Sequence, residues 1–229
     1  MSGQINWLIW ELIVSARYIS LDTETTGLDF KSGDRVIEIG AVEIIGRNKT
    51  KKSFQTYLNP EGKLISEGAK SITNITDDQL KDKPKFKDIA DEFIEFVSGA
   101  ELIIHNAEFD VGFLNNELRL IGHQVEDITT ICKIFDTLIH ARKTFPGQKN
   151  SLDALTQRLN IIGYDREFHG ALLDAQILSD VYLNLTGGQV KLNLSTNDES
   201  ISQNDNAISK SKNFKVVQAS ISSDDLDAH

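Results

Sequence analysis

The chain of 229 residues holds a single cysteine, Cys132, and three prolines. One thiol cannot close an internal disulfide, so a secreted scaffold held together by bridges is excluded. No apolar run reaches the roughly 18 to 20 residues that a membrane-spanning helix requires. Basic residues are in deficit: 24 Lys and Arg face 34 Asp and Glu, a formal charge of -10. A free-standing nucleic-acid binder driven by phosphate electrostatics is usually basic, and this chain is not. An enzyme that holds cations and receives its substrate from another protein is compatible with the same balance. Lys and Arg are also missing before Arg17, so the apolar stretch Ile5 to Val14 lacks the basic region of a signal peptide. That stretch reads as a short packed helix or as an overcalled start, and the expected compartment is the cytoplasm. No repeat of solenoid period is found.

What is present suits one domain of ordinary size with an appendage, large enough to sustain its own core. Short apolar runs at Tyr18–Asp22, Val36–Ile45 and Lys52–Leu58 read as strands. Helical spacing runs through Phe86, Ile89, Ala90, Phe93, Ile94 and Val97. Leu102–His105 reads as a buried strand, followed by a helix over 107–121 with Asn106 as its N-cap. Further helices are expected at 130–143, 151–160 and 170–185. Strands first, then strands and helices in alternation, predict a layered α/β domain with a mixed sheet. After Gly187-Gly188 the composition changes: residues 189–229 hold eight Ser and five Asn but no Pro, Gly, Trp or Tyr. So polar a segment buries too little surface to offset its ordering entropy, and most of it is expected to be disordered.

The densest chemical signal is Leu21-Asp22-Thr23-Glu24-Thr25-Thr26-Gly27-Leu28. Asp22 and Glu24 lie two apart at a strand end, so both carboxylates point to one face. Such a pair is either a solvated strand end or a site in which a cation relieves the like-charge repulsion. In His105-Asn106-Ala107-Glu108-Phe109-Asp110 an acid falls in the first turn of a helix, where it also complements the helix dipole. His169 and Asp174 would stand about 140° apart in one continuous helix. They converge only if His169 sits on the loop before the helix and Asp174 one turn in. Asp165, Glu167 and Asp180 show no partner pattern and read as surface charges. Four acids and one histidine at strand ends and helix starts suit two divalent ions and a phosphodiester substrate. The histidine can take the proton of an attacking water near neutral pH.

At these residues the sequence resembles the DEDDh family of 3'-5' exonucleases, and within it the proofreading members that serve a replicative polymerase. The likeness spans about Tyr18 to Gly188. It adds Val36-Ile-Glu-Ile-Gly-Ala41, Asp82-Lys-Pro-Lys-Phe86 and Lys149-Asn-Ser-Leu-Asp-Ala-Leu155 to the motifs above and to His169-Gly-Ala-Leu-Leu-Asp-Ala175. The resemblance implies an RNase H-like fold, a mixed five-stranded sheet with helices on both faces. It implies that Asp22, Glu24, Asp110 and Asp174 coordinate two divalent cations, Mg²⁺ or Mn²⁺, with His169 as general base. It also implies that Thr23, Thr25 and Leu28 hold the 3'-terminal nucleotide, with Asn106 and Phe109 lining the same cleft. One departure stands out: Thr73-Asn74-Ile75 replaces the His-Gly-Ile of close relatives, which puts that loop's substrate contact and turn in question.

The tail carries the expected partner contacts. Gln189, Leu192 and Leu194 resemble the short motif by which replication proteins dock on the sliding clamp. Phe214, Val216 and Val217, with Ser223 to Leu226, resemble the end of the tail that anchors such exonucleases to the polymerase chain. A small theta-type subunit can join complexes of this kind. The expected division is therefore an extension at 1–17, an exonuclease domain at 18–186 and a flexible tail at 187–229. Residues 1–186 hold 20 basic and 28 acidic side chains, a balance of -8, so the domain alone should grip DNA weakly. A tether of about 19 flexible residues spans roughly 25 Å and supplies an effective concentration on the order of millimolar. The rival readings are a stand-alone exonuclease acting on RNA or single-stranded DNA ends, and a catalytically silent subunit that braces a replicase.

Overall fold

In a computed structural model of the chain, residues 16–165 and 167–187 are described. The amino-terminal stretch before Ala16 lies outside them, as do both tail segments expected to bind partners. Side chains alternate along β1 (Arg17–Thr25), so Ile19 and Leu21 face one side of the sheet while Tyr18, Ser20, Asp22 and Glu24 face the other. β1 pairs antiparallel with β2 (Val36–Ile45), which in turn pairs antiparallel with β3 (Asn48–Tyr57). On its other edge β1 runs parallel to β4 (Glu101–Ile104), and β4 runs parallel to β5 (Lys133–Asp136). The strand order is β3-β2-β1-β4-β5, the expected mixed five-stranded sheet.

Two short helices, α1 (Glu67–Thr73) and α2 (Asp77–Leu80), follow β3 and have no counterpart in the sequence reading. α3 (Phe86–Val97) matches its expected bounds, and α4 (Ala107–Leu120) ends within a residue of them. The chain continues through α5 (Thr137–Thr144), α6 (Leu152–Arg158) and α7 (Ala171–Thr186). One core lies between the sheet and α3 and α4, where Phe86, Phe93, Phe113 and Leu118 cover Ile19 and Leu21. The other lies beneath α7, where Ile177, Leu178, Val181 and Tyr182 meet Ile44, Ile103 and Leu155. Each such fully buried aliphatic or aromatic side chain contributes about 1.5–3 kcal/mol, which is what holds α7 against the sheet.

The expected helix at 130–143 is a correction. A 3₁₀ turn at Ile128–Thr130, then β5, then α5 occupy that span. The Lys133–Asp136 segment satisfies the outer edge of β4, residue by residue from Glu101↔Lys133 to Ile104↔Asp136. The equally short β4 announces itself by an apolar run, whereas Lys133-Ile-Phe-Asp136 carries a charge at each end and shows neither run nor period. Asp136 then starts α5 by accepting the N–H groups of Leu138 and Ile139 at 2.8 and 3.0 Å. Asp180 is no isolated surface charge either, since Lys49 Nζ lies 2.7 Å from its carboxylate and the Tyr164 hydroxyl donates to it at 2.5 Å.

Candidate active site

The site forms where the carboxyl end of β1 meets the first turns of α4 and α7. Asp22 and Glu24 leave β1 on the face that α7 covers. In the β2 register they stand opposite Gly40 and Glu38. Asp110 approaches from the first turn of α4, where it is buried, and its Oδ1 accepts both the N–H and the hydroxyl of Thr23 at 3.0 and 2.7 Å. Burial pushes its carboxyl up to about 7, against those two hydrogen bonds.

Gly170 is the N-cap of α7, so His169 sits on the preceding loop and Asp174 one turn in, the arrangement that lets the two converge. The His169 N–H donates to the Ile72 carbonyl at 3.0 Å, tying the loop to α1. Its Nδ1 lies 3.2 Å from Asp174 Oδ2, with the imidazole 43% exposed and the carboxylate 3%. Ligand atoms of Glu24, His169 and Asp174 all lie within 4.8 Å of one another. Asp22 and Asp110 stand outside that trio but line the same cleft of about 270 Å³, together with Thr23, Asn106 and Phe109. Four carboxylates and one imidazole form an oxygen-rich donor set of the kind that suits a hard divalent cation.

An adjoining pocket of about 240 Å³ shares Thr23, Glu24 and Phe109 with that cleft and adds Thr25, Leu28, Ala69, Ile72 and Thr73. Leu28 is 87% exposed at its rim. Such an apolar slot beside an anionic cleft suits a flat nucleobase, with its phosphate toward the acids. The Thr25 hydroxyl donates to the Gly27 carbonyl at 2.5 Å, so it shapes the turn rather than facing outward.

Asn106 does occupy the N-cap of α4, but in the left-handed region at φ 69 and without a side-chain cap. The Asp136 carboxylate accepts the Ala107 N–H at 2.9 Å in its place. The Thr73-Asn74 departure keeps its turn: Asn74 closes α1 at φ 58, a conformation Asn tolerates better than most residues. Thr73 is buried, donates to the Ala69 carbonyl at 2.9 Å and accepts the Ile75 N–H at 3.1 Å. His105, Ser151 and Asp153 also line the cleft and were not singled out from sequence. All three lie inside motifs that were, so their proximity to the acids was the missing information. Burial holds His105 below the ordinary imidazole range, and its Nδ1 meets Thr137 Oγ1 at 2.9 Å.

A family profile described as exonuclease (RNase_T) matches residues 19–182. The DNA polymerase III subunit epsilon of Buchnera aphidicola subsp. Schizaphis graminum is 48% identical over 209 residues, covering 90% of this chain and 85% of that protein. The epsilon subunit of Escherichia coli strain K12 is 48% identical over 180 residues, 77% of this chain and 74% of its own. Among solved structures, the nuclease domain of 3'hExo, described as a DEDDh family member bound to rAMP, aligns with a TM-score of 0.64. It is 19% identical and covers 75% of this chain and 92% of that one, a likeness of fold. The chain belongs to the RNase_T exonuclease family and, within it, to the epsilon subunits of DNA polymerase III.

Proposed function

We infer that this 3'-5' exonuclease, a proofreading subunit of DNA polymerase III by its relatives, removes mismatched 3'-terminal nucleotides at the cleft on the end of β1. The observation that carries the residue roles is the convergence of Glu24, His169 and Asp174 within 4.8 Å, in one cleft with Asp22 and Asp110. Asp22, Glu24, Asp110 and Asp174 would hold two divalent ions, Mg²⁺ or Mn²⁺. When bound, such ions supply a nucleophilic water at neutral pH and neutralise charge on the leaving oxygen. Thr23 orients Asp110 through its two hydrogen bonds. His169 takes the proton of the attacking water. Its Nδ1 is set against Asp174, which orients the ring and assigns proton transfer to Nε2. The pocket of Leu28, Ile72 and Phe109 holds the terminal base, and Asn106 lies on the phosphate side.

The wider assignments follow from the family and from the tail sequence. The substrate is a single-stranded or frayed DNA 3' end. The tail reaches the polymerase III alpha subunit through Phe214, Val216 and Val217, and the sliding clamp through Gln189, Leu192 and Leu194. A theta-type subunit is a third candidate partner, and the compartment is the cytoplasm. Among the described residues no helix is long and apolar enough to cross a membrane.

The test is hydrolysis of a 5'-labelled single-stranded oligonucleotide with Mg²⁺ or Mn²⁺. Wild type should give a ladder shortening from the 3' end, lost with chelator. Asp22→Ala should nearly abolish it, and His169→Ala should lower the rate by roughly 10²–10⁴-fold. A wild type inert with either ion, even beside the polymerase subunit, would return the chain to a bracing role.

A further inference from the structure

Glu38 is a carboxylate in the middle of β2, only 1% exposed, and none of the roles above uses it. Placing a charge there is costly, all the more because its cross-strand neighbour in β1 is another acid, Glu24. Its partners show what the position does. Oε2 accepts the N–H of Ala171, the first residue of α7, at 3.1 Å. Oε1 accepts from the Gln55 side chain on β3 at 2.9 Å. An anionic acceptor at the amino terminus of a sixteen-residue helix is favourable both for the hydrogen bond and for the helix dipole.

Two further features seat the start of the same helix. A Cβ on Gly40 would fall 2.1 Å from the Ala171 carbonyl carbon, so only glycine lets α7 start directly on the strand. Ser20, fully buried on β1, donates to the Ala175 carbonyl at 2.7 Å. The turn so held carries Asp174, and His169 lies two residues before its first N–H.

We propose that Glu38 is a positioning residue of the exonuclease: through Ala171 it sets where the first turn of α7 presents Asp174 and where the preceding loop presents His169. The proposal rests on the site roles inferred above. Gly40 admits the helix, Ser20 fixes its second turn, and Glu38 fixes the end on which the reactive groups sit.

The test compares Glu38→Met, which keeps length without an acceptor, with Glu38→Gln, whose amide oxygen can still accept from Ala171. Rates of 3'-end hydrolysis are normalised to folded protein by thermal melting, and Mn²⁺ affinity is measured by calorimetry without DNA. Glu38→Met should lower kcat and weaken Mn²⁺ binding about 10- to 100-fold with KM within about twofold, while Glu38→Gln recovers to within about threefold of wild type. Wild-type kcat and Mn²⁺ affinity in folded Glu38→Met overturns the proposal, as do equal losses in both variants that track melting temperature. Should Glu38→Met not fold, Gln55→Ala at an exposed position reads the same coupling. A two- to fivefold lower kcat at unchanged melting temperature supports it, and an unchanged kcat overturns it. A wild type without 3' hydrolysis would instead defeat the functional reading, and the Mn²⁺ affinities of the two Glu38 variants would still decide the role of Glu38.

Discussion

The proposed cation ligands include a carboxyl whose burial is costly to the fold without a cation. Asp110 is 4% exposed, and burial drives its carboxyl toward the neutral form. Asp110→Asn should therefore raise the melting temperature in chelator, by roughly 3–6 °C if relief of the buried charge is about 1–2 kcal/mol. The same variant should lose hydrolysis and most of the melting-temperature gain that Mn²⁺ gives the wild type. A variant melting at or below wild type in chelator would show that Asp110 is already compensated. Thr23 supplies two donors to this carboxylate, one of them a side chain. Thr23→Val keeps the backbone N–H and should cost about 1.5–3 kcal/mol of the hydrogen-bonded arrangement, read as a roughly 10- to 100-fold fall in kcat. The Asp22–Glu24 pair and the His169–Asp174 spacing were legible in the sequence because strand and helix periods are local. The Thr23–Asp110 bond was not, since its partners are 87 positions apart.

At the scale of the element, the sequence showed periodic or apolar segments well and short polar ones poorly. β2 and α3 have the expected bounds because one is a ten-residue, largely apolar run and the other shows twelve residues of helical period. β5 and α1, with four and seven residues, show neither. α1 matters because it walls the apolar pocket beside the acids and anchors the His169 loop through Ile72. Its end depends on Asn74 in the left-handed region. Asn74→Ala should cost about 1–2 kcal/mol by chemical denaturation, whereas Asn74→Gly should change stability by a few tenths. An equal cost for both would mean the Asn side chain, not its backbone conformation, holds the turn.

For the whole molecule, charge governs the pH dependence of stability and leads to a prediction about substrate. The Ile65 N–H and Lys70 hold Asp77 below its ordinary range, and the Thr129 N–H does the same for Asp127. Burial pushes Glu43 up, but Arg17 and Thr50 outweigh it and hold it down. Each folded pKa lies below its unfolded value, so this stability is complete above the unfolded pKa and lost as pH falls through the folded one. The denaturation midpoint should fall below about pH 4 as these carboxylates protonate. Between about pH 7 and 5 two groups of the cleft act in opposite senses: Asp110, raised to about 7, adds stability as pH falls, and His105, held low, removes it. A midpoint that stays flat below about pH 4 would place the controlling groups elsewhere. With 28 acidic against 20 basic residues in 1–186, the domain has little charge with which to pull a paired strand open. Mismatched primer ends should therefore be cut well ahead of matched ones at low temperature. Equal rates would mean the protein melts ends itself.

The sequence by itself determined the class of fold, the five catalytic candidates and that no apolar run is long enough for a membrane-spanning helix, because each depends on local period, residue type or composition. Only the tertiary structure decided which strand closes the sheet, which helix walls the apolar pocket and what seats α7 over the acids. Those depend on groups far apart in the chain, such as Glu38 and Ala171, separated by 133 positions. Backbone groups in a buried layer must find partners wherever the fold brings them, and no local pattern announces which they will be.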